Sequence, residues 1–233
     1  MTHWFPRWLL GSGGVLGLLL AMPFTPVQAG DSKPEIREAT PAEIAQAFRD
    51  RKQFVLTFLG YSGAGYEDHG SMLRQAATIL EAHDPSRTVV NIGATAEGIG
   101  AVYELARKKG FPTTGIVSTQ ARDQKVPLSP AVQQVYYVKD STWGGFLEGT
   151  RTLSPTSAAM VAVSDLLVAI GGGEVAHDEL QAARESGKRV QIIAADMNHR
   201  LATEKAQKKG QAVPTDFRGP VSVLAEAQSP TAP

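Results

Sequence analysis

The residues with the most chemical promise lie in three glycine-rich segments: Gly60-Tyr61-Ser62-Gly63-Ala64-Gly65, Gly93-Ala94-Thr95-Ala96-Glu97-Gly98-Ile99-Gly100 and Gly171-Gly172-Gly173. Glycine permits positive φ and lets a ligand approach the main chain, while the free N–H groups at the start of a following helix favour an anion. A phosphate is the obvious candidate. Its binding residues would be Gly60, Ser62, Gly63, Gly93, Thr95, Gly98, Gly171, Gly172 and Gly173. Glu179, about one turn past Gly173, and Glu97 are carboxylates able to accept hydrogen bonds from sugar hydroxyls. Glu174, Asp178 and Glu179 together complement the positive end of a helix, but they also repel an anion. Trp143, in the 140–145 loop, offers a ring to stack on a base.

Other chemistries lack their patterns. There is no G-x-x-x-x-G-K-[ST], and G-Y-S-G-A-G is not G-x-G-x-x-G, so ATP hydrolysis and dinucleotide binding are poorly supported. Gly60-Tyr61-Ser62-Gly63-Ala64 falls one residue short of the G-x-S-x-G nucleophile elbow. Ser62 also follows the first core strand, whereas hydrolases place their elbow on a mid-sheet strand. The pairs Asp68-His69, His177-x-Glu179 and Asp196-x-x-His199 are isolated, so no metal is expected. No cofactor is expected either. Lys205, Lys208 and Lys209 read as a solvated helix face.

The elements around these turns alternate in type. Short apolar runs at 54–59, 88–92, 114–117, 135–138, 166–170 and 190–194 predict six buried strands. Helical spacing of apolar residues predicts helices near 72–80, 99–109, 154–163, 174–186 and 201–209. Thr40-Pro41-Ala42-Glu43 reads as N-cap, N1 proline and capping-box glutamate, so a further helix starts at Pro41. Alternating βα units with continuous apolar strands predict a Rossmann-like α/β fold, with a mainly parallel sheet covered on both faces. Ligands in such sheets bind where the carboxyl ends of strands pass into helices, and each glycine segment lies at such an end.

Composition bounds the rest. The 233 residues carry 23 basic and 23 acidic side chains, so neither nucleic acid nor a charged membrane surface is an expected partner. With no cysteine, disulfides and thiolate chemistry are excluded. Residues 1–29 have the layout of a secretory signal peptide: Arg7, an apolar stretch too short for the ~20 residues of a membrane span, then Val27-Gln28-Ala29. The expected mature protein is periplasmic or secreted, without stable membrane association. The expected divisions are a flexible lead-in at 30–39, the domain at 40–219 and a disordered tail at 220–233.

The order of a G-x-S-G-like first turn, a glycine turn running into Gly100-Ala101-Val102-Tyr103-Glu104-Leu105-Ala106, and a late Gly-Gly-x-x-x-x-x-Glu is similar to the SLOG superfamily. Its members include the Lonely Guy cytokinin-activating phosphoribohydrolases. The family's late motif is P-G-G-x-G-T-x-x-E. Two glycines and Glu179 match it, while Gly171 stands for the proline, Val175 for the later glycine and Ala176 for the threonine. Aligning the upstream R-K-x-x-M on Met160 puts Thr156 and Ser157 at the basic positions, so the family's catalytic arginine is missing; Arg151 lies a helical turn or two away. The resemblance implies a nucleotide or phosphorylated-ribose ligand and a homodimer. Glu179 would be the catalytic carboxylate if the chain splits the N-glycosidic bond of nucleoside 5′-monophosphates. The missing arginine places recognition ahead of that hydrolysis, and a non-catalytic interaction module is the third alternative. If the leader is removed as expected, the intact mass of the mature protein begins at Gly30; a mass that includes Met1 to Ala29 would show an uncleaved anchor.

Overall fold

The computed structural model describes residues 33–226. The expected leader at 1–29 lies outside the described residues, as do 227–233. Seven parallel strands form one sheet: β1 (Glu35–Glu38), β2 (Phe54–Gly60), β3 (Thr88–Ile92), β4 (Thr113–Ser118), β5 (Gln134–Val138), β6 (Leu166–Ile170) and β7 (Arg189–Ile193). Their order across the sheet is β1-β5-β4-β3-β2-β6-β7. From β2 the chain steps outward through β3, β4 and β5, then returns to place β6 on the other side of β2. That reversal opens a crevice at the carboxyl ends of β2 and β6, where open α/β sheets bind ligands.

The helices that build these crossovers are α1 (Pro41–Arg51), α2 (His69–Glu81), α3 (Ala101–Lys108), α4 (Thr119–Asp123), α5 (Pro155–Val163), α6 (Glu174–Glu185), α7 (His199–Lys208) and α8 (Pro220–Glu226). Local sequence explains several boundaries. Thr40 caps α1, with its hydroxyl accepting from Glu43 N at 3.3 Å while the Glu43 carboxylate takes Thr40 N at 2.8 Å. Alternate residues of β2 serve two cores. Leu56 and Phe58 pack with α2 and α3 on one face, and Val55 and Leu59 pack with α1, α5, α6 and α8 on the other. Burial on both faces gives the continuous apolar strands.

Two terminal segments depart from expectation. Residues 35–38, within the stretch expected to be a flexible lead-in, form the edge strand β1, paired with β5 from Glu35↔Gln134 to Glu38↔Tyr137. All four side chains are exposed, so the strand has no apolar pattern to betray it. Residues 220–226, expected to begin a disordered tail, form α8, which buries Val221 fully against the core containing Ala176 and Leu180.

Tyr61, just past β2, ties the site region together. Its hydroxyl accepts from Gly219 N at 2.7 Å and donates to Ala195 O at 3.1 Å, linking the start of α8 to the segment after β7. Its carbonyl accepts from Ile99 N at 2.7 Å, and its N–H donates to the Tyr66 hydroxyl, which in turn donates to Ile170 O at 2.8 Å. Gly171 has φ +55, and a Cβ there would lie 2.5 Å from the Tyr61 ring, so both its conformation and its contact demand glycine. Replacing Tyr61 by Phe strands the Gly219 amide in a buried position. We expect a loss of about 1–3 kcal/mol, measured by urea unfolding, with cooperativity retained.

Candidate functional site

The crevice at the switch point is a cavity of about 820 Å³, within the range of small-molecule sites. Its walls come from the carboxyl ends of β2, β3 and β4, from the first turns of α5 and α6, and from the 126–128 and 143 loops. Of the residues expected to bind ligand, Gly60, Ser62, Gly63, Gly93, Thr95, Glu97, Gly173, Trp143 and Glu179 all line it. Gly98, Gly171 and Gly172 do not. Gly98 has φ +58 and packs under the Tyr61 and Ser62 carbonyls, while Gly171 and Gly172 turn behind the wall toward Tyr61 and Val221. These three shape the site without facing it. The Thr95 hydroxyl is used locally, accepting from Glu97 N at 3.1 Å.

The two helix starts at the cavity differ. At α5 the Thr156 N–H donates to Asp140 Oδ2 at 2.9 Å, and Asp140 Oδ1 accepts from the Thr142 N–H and hydroxyl at 2.8 and 2.9 Å. Burial pushes the Asp140 carboxyl up, but the bonds from Thr156 and Thr142 outweigh it and hold the pKa below its ordinary value. A resident carboxylate therefore fills the anion position at α5. At α6 the N-cap is Gly173, with no side chain capping the helix, and Gly173, Glu174, Val175 and Ala176 all line the cavity. That start remains open to a ligand.

Glu179 is only 4% exposed. The Ser157 hydroxyl donates to its Oε1 at 2.6 Å, and the same hydroxyl accepts from Gly145 N at 2.8 Å, which ties the carboxyl to the 140–145 loop. Burial raises the Glu179 pKa to about 7, the Ser157 bond opposes that rise, and the neighbouring Asp178 charge adds to it. Asp178 is held away by the Phe146 N–H, which donates to its Oδ2 at 2.8 Å. Glu174, His177 and Asp178 bring donor atoms within 4.8 Å of one another on the first turns of α6, a grouping that their separate pairs in the sequence did not suggest. Thr156 is also 4% exposed. Its Oγ1 makes no geometrically sound hydrogen bond, although it lies near enough to Asp140 to help keep that carboxylate ionised.

Charge in the cavity is uneven. Glu97, Glu174 and Glu179 line it, against Lys205 as the only basic side chain among the described lining residues. Lys205 was expected on a solvated face; it reaches the cavity because α7 packs on the β2–α2 loop, where Asn198 N donates to Ala64 O at 3.3 Å. Arg151 does not line the cavity. It pairs with Glu185 and lies over the Phe146 ring. Sequence reasoning passed over Tyr61, Asp140 and Lys205 as site residues, because their roles depend on partners far along the chain.

No protein-family model matches the sequence, and no curated protein matches it. Solved structures similar to the chain include the protein TM1055, with 18% identity over 59% of this chain and 72% of that one and a TM-score of 0.42. The molybdenum cofactor carrier protein of Chlamydomonas reinhardtii is 16% identical over 75% of this chain and 96% of that one, with a TM-score of 0.43. DNA processing protein A of Streptococcus pneumoniae is 15% identical over 76% of this chain and 62% of that one, with a TM-score of 0.42. At these identities and TM-scores the likenesses carry no family, role or site residue over to this chain.

The buried carboxyl has a measurable signature. Because its folded pKa of about 7 exceeds the ordinary 4.5, Glu179 favours folding while protonated, and that contribution is lost as pH rises through this window. The loss amounts to ~3 kcal/mol. Glu179→Gln keeps the acceptor for Ser157 without the charge. We expect the variant to be more stable than the parent at pH 8 and equal to it near pH 4.5, by thermal or urea melts across that range.

Proposed function

We propose that the protein is an exported binding protein for a small nucleotide-like ligand, a heterocycle on a ribose bearing a single phosphate, held in the cavity at the carboxyl ends of β2, β3 and β4 beside the start of α6. The observation that carries this function is a cavity of about 820 Å³ at the carboxyl ends of β2, β3 and β4 whose lining combines the Ser62-Gly63 turn, Lys205 and the ring of Trp143. A cavity of that size accommodates a nucleoside monophosphate. Three acidic side chains and one lysine in the lining disfavour a polyphosphate, whose several charges would meet net repulsion. Ser62, Gly63 and Lys205 suit the phosphate, and the half-exposed ring of Trp143 at the rim suits the flat face of a base.

Hydrolysis of the N-glycosidic bond is the second function to test, because a cavity carboxyl with a pKa of about 7 is competent to transfer a proton near neutrality. Against it, the described lining holds no arginine, and Lys205 lies on α7 rather than beside Glu179 on α6. A thermal-shift panel of nucleotides and sugar phosphates, with products separated by chromatography, distinguishes the two. Binding at a hundredfold excess over Kd adds about 2.7 kcal/mol, a rise in Tm of roughly 5–10 °C. The expected result is that shift for one or more nucleoside monophosphates with the ligand recovered intact. Release of free base, abolished in Glu179→Ala, would establish a hydrolase instead, and no shift with any phosphorylated compound would end the nucleotide assignment.

A further inference from the structure

Residues 198–216 leave the body of the domain and return to the place they left. At the neck, Asp196 pairs with Arg218 in an antiparallel bridge, Met197 N donates to Phe217 O at 2.9 Å, and the His199 ring stacks on Phe217 with centroids 4.0 Å apart. The Tyr61 hydroxyl fixes both sides of that neck through Ala195 O and Gly219 N. The excursion is therefore a flap on a closed base, with α7 as its main element.

The flap is held at one end. Its first turn rests on the β2–α2 loop, where Asn198 N donates to Ala64 O and His199 N donates to Glu67 Oε2 at 2.9 Å. Leu201 packs over Gly65, where a Cβ would lie 3.3 Å from the leucine Cδ1. From Arg200 to Asp216, among the described residues, every hydrogen bond and ion pair stays within 198–218. Of the α7 side chains Ala206 alone is buried, and α7 packs along no neighbouring helix or strand. Few buried apolar contacts, and bonds that end within the segment, mark a unit that opens locally at low cost. This lightly held unit carries Lys205, the only basic side chain among the described residues lining the cavity. Its ammonium is exposed and pairs with no carboxylate among the described residues.

Resting on the nucleotide-like assignment above, we propose that the 198–216 flap is a lid, drawn shut over the cavity when a ligand phosphate at the Ser62-Gly63 turn engages Lys205. The neck and the first turn of α7 stay in place, and the later turns of the helix swing about them. The phosphate is the anion that Lys205 otherwise lacks, and its contact with the ammonium is made fully only in the shut position. That difference between the two positions is what a ligand needs in order to shift the flap from one to the other. A nucleoside without phosphate offers no such contact and leaves the flap as it was.

The test is amide hydrogen exchange of the purified protein with adenosine, guanosine, cytidine and uridine 5′-monophosphates, each first titrated by calorimetry, and with the matching nucleosides as controls. With a nucleotide that binds, the amides of α7 beyond Leu201 are expected to exchange at least about tenfold more slowly, and with the nucleoside at an unchanged rate. Lys205→Ala should abolish the slowing even at saturating nucleotide, and Lys205→Arg should retain it. A nucleotide that binds without slowing exchange in the flap, or a slowing that survives Lys205→Ala, overturns the lid and leaves the binding assignment standing. If none of the four nucleotides titrates, the nucleotide-like assignment falls and the lid with it.

Discussion

One phenol oxygen holds the architecture of the cavity. The Tyr61 hydroxyl joins the start of α8 to the chain leaving β7, and the same residue's main chain joins the β3–α3 loop to Tyr66 and the end of β6. The carboxyl ends of a parallel sheet have no hydrogen-bond ladder of their own, so the loops that leave them need partners elsewhere. Here the partners converge on one side chain. Gly171, Gly172 and Gly219 are small because the Tyr61 ring and its neighbours occupy the space beside them. These glycines shape the wall of the cavity without lining it.

The electrostatics follow a similar economy. Two helix starts face the cavity, and each has main-chain donors that need an acceptor or water. The protein supplies one acceptor itself, Asp140 at α5, and stabilises it with four donated bonds or near-bonds from Thr142 and Thr156. It leaves the other, α6, to whatever enters. Glu179 sits between these conditions. Without a nearby cation its burial is tolerable because protonation is available close to neutral pH, which separates this carboxyl from a permanently ionised one.

How much of this was visible in the sequence depended on how local each cause was. Capping at Thr40 and Glu43, the glycine after α3 and the apolar runs of β2 to β6 are decided within a few residues, and they stand where the patterns put them. The edge strand β1 and the last helix, α8, were missed for one shared reason. Glu35-Ile36-Arg37-Glu38 becomes a strand only because β5 offers its free edge, and Val221 is buried only because Gly172 and α6 leave room for it. In the site, residue type announced the glycines and Glu179. That Gly171 turns away from the cavity was decided by Tyr61, and the hydrogen bond of the Glu179 carboxyl by Ser157 on another helix, and neither partner is near in sequence.

The edge strand also sets a schedule. β1 comes first in the described chain but pairs with β5, about a hundred residues later, and makes no other strand contact. Its pairing therefore closes a long loop and needs β5 in place beforehand. Glu35, Arg37 and Glu38 put charge along the outermost strand, which makes that open edge a poor template for another chain. The polar character that hid this strand from the sequence pattern is the same character that guards the border of the sheet.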